Sequence, residues 1–247
     1  MTTGQLSRWI GAALLVAVVT GCRETETEQQ PTQTEKPAAE TRTQAEGQRQ
    51  RYLDPENAPV GPGWVALFNG TDLAGWKNLT SEPITTWEAV DGVMVNAPPD
   101  RHGDNILTEG TFDDFEFYCE YLIPENGNSG VFLRGLYEVQ ILDDHGVPVD
   151  SPKDWGNGGI WGLQAPSENV SKPAGQWQSM HARLVGNRVT VILNGTRIID
   201  DFELTRPTHL YEQLSDLSHG DPGPILLQGD HGPLQYRNVM IRPLGDT

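Results

Sequence analysis

Short runs of alternating hydrophobic and polar positions, punctuated by Gly, Pro, Asn and Asp, fill most of the chain from residue 64 onward. Runs of period two predict β-strands, whose successive side chains point to opposite faces. "WVALFNG" (64–70), "TWEAVDGVMVN" (86–96), "FEFYCEYLI" (115–123), "SGVFLRG" (129–135) and "YEVQILD" (137–143) come first. They are followed by "MHARLVGNRVTVILNGTRIID" (180–200), "GPILLQGD" (223–230) and "LQYRNVMIRPL" (234–244). Within 180–200, Gly186-Asn187 and Asn194-Gly195 divide three alternating runs into a meander. Helical periodicity is almost absent, "HLYEQLSDL" (209–217) being the one short candidate. The pattern predicts an all-β sandwich or barrel.

Strand parity sorts the side chains further. Tyr137, Val139 and Ile141 form one row, and Glu138, Gln140 and Leu142 the other. Val131 and Leu133 share a face, with Phe132 and Arg134 opposite. If the aliphatic rows pack between sheets, Phe132, Arg134, Glu138 and Gln140 all look outward. Likewise Phe115, Phe117, Cys119, Tyr121 and Ile123 make a core row, leaving Glu116, Tyr118 and Glu120 on the other side. On a concave sheet, rings stack on the C–H face of a sugar while carboxylate, amide and guanidinium groups bond its hydroxyls. A solvated sheet face with cross-strand charge pairs gives the same alternation.

The N-terminus reads differently. Arg8 precedes an apolar stretch, Trp9 to Val19, too short to span a bilayer comfortably. It runs into "VTGC" (19–22), which resembles a bacterial lipobox. Residues 1–22 are therefore expected to be a lipoprotein signal peptide with Cys22 lipidated. The chain would then be exported and held at the cell envelope by acyl chains. Residues 23–51 carry no aromatic residue and no hydrophobic period, the composition of a disordered polar linker. The folded domain is expected over 52–247.

A formal net charge of -17 argues against nucleic acid as a partner. Of the two cysteines, lipidation would use Cys22, leaving Cys119 as a buried free thiol. Residues 144–176 are rich in Gly, Pro, Asp and Trp, and a loop of this length in a compact domain is usually functional. Asp143, Asp144 and His145 are an oxygen-rich combination, yet no calcium-loop, HExxH or CxxC spacing is present. No metal or organic cofactor is assigned. GxSxG, P-loop and Rossmann fingerprints are absent too.

Several stretches carry a resemblance. "WVALFNGTDLAGW", "WEAVDGVMV", "ILTEGTFDDFEFYCEY", "NSGVFLRGLYEVQILD", "GGIWGL", "KPAGQWQ", "LNGTRIID" and "GPILLQGDHGPLQYRNVMIRPL" are similar, in this order, to the 3-keto-disaccharide hydrolase domain family. The resemblance covers nearly all of residues 63–244. It implies a concanavalin/laminin-G-like jelly-roll β-sandwich and cleavage of glycosides oxidised to a ketone at C3 of the sugar. The ketone acidifies the C2 proton, a base removes it, the aglycone leaves, and water adds to the enone. Three departures stand out: "LQGDHG" has one residue more than the family's usual "LQDHG", Trp161 replaces a tyrosine, and Gln178 follows Trp177 in place of asparagine.

On this reading Glu138 is the first candidate for base or acid, and His231 for base or proton shuttle. Arg134 would clamp hydroxyls or stabilise the enolate. Gln140, Phe132, Trp161, Asp143, Asp230, Tyr118 and Glu120 are candidates for substrate binding, with Trp155 a further stacking platform. The alternative on the same scaffold is a carbohydrate-binding module without turnover.

Overall fold

The computed structural model describes residues 61–100, 102–148 and 156–245. Cys22, the 23–51 linker, the domain boundary at residue 52 and Trp155 lie outside them. The described residues form β1 (Val65–Ala66), β2 (Trp76–Asn78), β3 (Trp87–Val90), β4 (Val93–Asn96), β5 (Ile106–Thr108), β6 (Phe115–Leu122) and β7 (Asn128–Leu133). The chain continues through β8 (Tyr137–Leu142), β9 (Gln178–Val185), β10 (Arg188–Leu193), β11 (Thr196–Glu203), β12 (Leu226–Leu227) and β13 (Leu234–Pro243).

Two antiparallel sheets result. The larger runs β11-β10-β9-β6-β13-β4-β3, with β1 also paired to β13; the smaller runs β2-β5-β12-β7-β8. The chain crosses from β6 in the large sheet to β7 and β8 in the small one, and back to β9. This is a jelly-roll β-sandwich: the pattern predicted an all-β sandwich or barrel, and the family resemblance implied the jelly roll. Its core is made by the rows that parity identified: Phe115, Phe117, Cys119 and Tyr121 on β6 pack in one cluster with Val131, Leu133, Val139 and Ile141. Cys119 is a fully buried free thiol, and burial pushes it well above the usual thiol range, so it stays un-ionised.

The meander is β9-β10-β11. Asn194 and Gly195, at φ +50° and +83°, make the two-residue turn in which both central residues are left-handed. β2 and β5 were not foreseen, because three residues are too few to show a period. The helix expected over 209–217 is reduced to one 3₁₀ turn, Glu212–Leu214. A segment this short does not nucleate a helix in isolation. Packing decides its shape instead: Tyr211 and Leu214 settle onto a second apolar cluster of Leu79, Leu107, Phe132 and Leu226.

Candidate active site

That second cluster lies on the outer face of the small sheet and sets the floor of a cavity. Register places Leu107, Leu226, Phe132 and Glu138 side by side across β5, β12, β7 and β8. An apolar row thus ends on a carboxyl group. Gly130 pairs with Gln140 in the next row on the same face. Gln228 joins it, its N–H donating to the Gly130 carbonyl at 3.0 Å. A cavity of about 320 Å³ sits over this floor, lined by Phe132, Glu138, Gln140 and Gln228 together with Asn128, Trp161, His209, Tyr211, Asp230 and His231.

Three loops form the walls. The first extends the edge strand β8: Gly158 N–H donates to the Gln140 carbonyl, Gln140 N–H to Gly159, and Trp161 N–H to Glu138 at 3.1 Å. These bonds satisfy an otherwise open sheet edge and bring Trp161 to the rim. The second begins at Thr208, whose hydroxyl accepts from the Glu138 N–H at 2.8 Å and donates to the Leu136 carbonyl. From there the chain delivers His209 and Tyr211, which stack edge to face at 4.5 Å. The third is the turn after β12. Asn105 Oδ1 accepts from the Gly229 N–H, Asn105 Nδ2 donates to Asp230 Oδ2 at 2.9 Å, and Asn96 Nδ2 donates to the Gly229 and Gly232 carbonyls. The extra residue in "LQGDHG" is thereby held in one conformation.

The electrostatics follow from these surroundings. Glu138 is 7% exposed, and burial beside Phe132 raises its pKa to about 7; His231 opposes the rise and Asp230 adds to it. Its carboxyl meets the Gln140 amide: turned so that nitrogen faces it, Gln140 donates to Glu138 Oε1 at 3.0 Å and to the Ser129 carbonyl at 3.2 Å. Burial also pushes the Asp230 carboxyl up, but hydrogen bonds from His231 and Asn105 outweigh it and hold Asp230 below the usual carboxylate range. His231 Nδ1 lies 2.6 Å from Asp230 Oδ1. An ionised carboxylate only accepts, so the neutral imidazole carries its proton on Nδ1 and presents a basic lone pair on Nε2. Tyr211, raised mainly by burial, keeps its phenolic proton, and its oxygen accepts from Gln228 Nε2 at 3.3 Å.

The structure brings together Glu138, His231, Gln140, Phe132, Trp161 and Asp230. It separates the other four. Arg134 does not line the cavity: it is 1% exposed, with φ +53° in the three-residue turn between β7 and β8. Its guanidinium binds the carbonyls of Asp113, Gly186 and Gly220 and the carboxylates of Asp113 and Asp114. Strand parity ends at Leu133, and the left-handed turn swings the next side chain away. Asp143 accepts from the Asn126 N–H at 2.8 Å and closes the turn before β7. Tyr118 and Glu120 do face away from the core, but on β6 of the large sheet, the opposite side of the sandwich. There Glu120 pairs with Arg237 at 2.6 Å and accepts from the Tyr118 hydroxyl at 3.0 Å, the cross-strand charge pairing that alternation equally allowed. Asn128, Gly130, Gln228, Asn105, His209 and Tyr211 were not singled out. For Asn128 and Gly130, parity of the β7 run would have found them, and for Gln228 its two-residue offset from Leu226; Asn105, His209 and Tyr211 come from loops distant in sequence.

Residues 63–242 match the family described as the 3-keto-alpha-glucoside-1,2-lyase-like domain. The chain belongs to that family. A relative from Bacteroides thetaiotaomicron, named 3-keto-disaccharide hydrolase, is 21% identical over 171 residues, covering 57% of this chain. This chain spans only 58% of that relative's length. Two structures from Parabacteroides distasonis, provisionally assigned as glycosyl hydrolases, superpose at TM-score 0.62. One is 26% identical, covering 78% of this chain and 95% of its own; the other is 23% identical, covering 74% and 95%. Both share the jelly-roll fold of this 3-keto-alpha-glucoside-1,2-lyase-like domain.

Proposed function

We propose that the cavity on the small sheet cleaves glycosides carrying a ketone at C3 of the sugar. The observation that carries this reading is the presence of Glu138 and the Asp230–His231 pair in the lining of one cavity. Both the family's description and the relative's name, a lyase and a hydrolase of 3-keto-sugars, agree with it. A carboxyl group that burial keeps protonated up to about pH 7, beside an imidazole that can accept a proton, is what an elimination needs.

His231 Nε2 removes the C2 proton, which the neighbouring ketone has made acidic. The Tyr211 hydroxyl donates to the developing enolate oxygen, and its own bond from Gln228 leaves that proton available. The C1–O bond then breaks, its electron pair stays on the departing oxygen, and that oxygen takes the proton of Glu138. The products are an enone and the free aglycone. Adding water to C1 with the roles reversed, Glu138 as base and His231 as acid, gives the hydrolysed sugar. Phe132 and Gln140 shape the pyranose seat.

The test is aglycone release from a 3-keto-glucoside incubated with the protein. Release that falls by a hundredfold or more in both Glu138→Gln and His231→Ala is expected. Unchanged release in either variant would remove that residue from the mechanism. Binding of unoxidised glycans without any release would identify a carbohydrate-binding module instead.

We infer in addition that the chain is exported and lipid-anchored through Cys22, a reading supported by the "VTGC" motif after an apolar stretch. Metabolic labelling with an alkynyl fatty acid tests it: label on the wild type and none on Cys22→Ser is expected, and label retained by the variant would refute the anchor.

A further inference from the structure

Trp161 stands apart from a cluster of three rings in the cavity wall. Phe132, His209 and Tyr211 pack edge to face on one another, with Phe132 and Tyr211 centred 5.4 Å apart. Each of these contacts sets the edge of one ring against the face of another. Trp161 lines the same cavity, is 42% exposed, and takes part in no ring pair among the described residues.

Its position is nevertheless fixed. Ile160 bridges to Val139 and its N–H donates to the Gln164 carbonyl at 2.8 Å, while Arg206 Nη2 donates to the Gly162 carbonyl at 2.9 Å. Backbone bonds on both sides therefore hold an apolar ring at the rim. The bond from the Trp161 N–H to the Glu138 carbonyl ties that ring to the residue that protonates the departing oxygen. Whatever leaves the sugar leaves next to this indole. The titratable groups of the lining are two carboxyls, Glu138 and Asp230, two imidazoles, His209 and His231, and the Tyr211 phenol; among the described residues no Lys or Arg lines the cavity.

We propose that Trp161 is the seat of the leaving group, and that the substrates of this site are 3-keto-glycosides whose aglycone is a neutral ring. The inference rests on reading the cavity as a glycoside-cleaving site. A ring offers the indole a face of matching area, which a methyl group cannot. An anionic ring would meet the ionised Asp230 carboxylate, and among the described residues no Lys or Arg lines the cavity to pair with it.

The test uses the full chain and non-cleavable C-glucosides bearing the C3 ketone, with methyl, phenyl or 4-carboxyphenyl in place of the aglycone. Calorimetry should give phenyl a dissociation constant roughly tenfold lower than methyl. The gap should collapse in Trp161→Ala, persist in Trp161→Phe, and be absent for 4-carboxyphenyl. Equal affinities for phenyl and methyl, a gap that survives Trp161→Ala, 4-carboxyphenyl binding as tightly as phenyl, or binding of none of the three would overturn the proposal. Aglycone release from the corresponding O-glucosides separates it from the reading beneath. Release without a phenyl-over-methyl gap sinks the leaving-group seat alone. A gap lost in Trp161→Ala but with no release sinks the cleavage reading and leaves the seat in place.

Discussion

A β-carbon placed on Gly130 would stand 2.5 Å from Glu138 Oε1 and 2.8 Å from its Cγ. The carboxyl group therefore lies across the backbone of the neighbouring strand, in space that only a missing side chain provides. There its oxygen comes within reach of the Gln140 amide. The seat also accounts for the raised pKa, since strand and Phe132 together strip water from the group.

Gly130→Ala should accordingly move Glu138 without breaking the strand, because Gly130 lies in the regular ladder of β7. A displacement of about 1 Å at a reacting group costs on the order of a hundredfold in turnover. The melting temperature should fall only modestly, as a single overpacked methyl costs about 1–3 kcal/mol. Measuring kcat beside thermal unfolding separates the two effects. Full turnover in a folded variant would show that the seat has no bearing on the chemistry.

Glu138→Gln should trade activity for stability, and the sign can be worked out. The folded pKa of about 7 lies above the ordinary carboxylate value of 4.5, so the folded state holds a proton that the unfolded state has lost between those values. The stabilising contribution is complete below about pH 4.5 and disappears as pH rises through about 7. Above that, an ionised Glu138 costs the fold about 3 kcal/mol. A neutral amide of the same shape avoids this penalty. Chemical denaturation from pH 5 to 9 should show the wild type weakening relative to Glu138→Gln, with aglycone release lost in the variant. Parallel stability curves would place Glu138 in a wetter setting than the cavity floor.

The sequence made the floor legible and left the walls obscure, for a physical reason. Phe132, Glu138 and Gln140 share a face because β7 and β8 keep strict alternation up to Leu133. Alternation says nothing about where a strand goes in the sandwich, so Tyr118 and Glu120 had the right parity on the wrong sheet. Nor does it survive a left-handed turn, which is how Arg134 leaves the groove. Asn105, Thr208 and Tyr211 reach the site through hydrogen bonds or ring contacts that span 70 to 125 residues of chain, and no periodic signal records such contacts.

Arg134 is thereby recast as a clamp, and its removal should read out in stability. Its guanidinium joins the Asp113–Asp114 segment, the β9–β10 turn at Gly186 and the loop at Gly220. Arg134→Ala leaves three carbonyls without their donor, a loss of about 1–3 kcal/mol for each that stays dry, while the Asp113 and Asp114 carboxylates remain open to water. Lysine restores the charge but not the fork, so Arg134→Lys should recover only part of it. Urea midpoints report the loss. A normal midpoint for Arg134→Ala together with a large fall in kcat would return Arg134 to the chemistry.

Asp230 tests the proton transfer itself. Its carboxylate, held below the usual range, stays ionised and so keeps the proton of the neutral His231 imidazole on Nδ1. In Asp230→Asn the amide can turn its nitrogen toward Nδ1, which favours the tautomer protonated on Nε2 and removes the base. The bond from Asn105 can still be met by the amide oxygen, so the turn keeps much of its support. Turnover should fall by roughly 10² to 10⁴, with KM changed far less, because the lost interaction belongs to the transition state. Nitrogen chemical shifts of His231 should show the exchange of tautomers in the same variant. A change of tautomer with kcat intact would assign proton removal to another group, and Glu138 would be the one left to perform it.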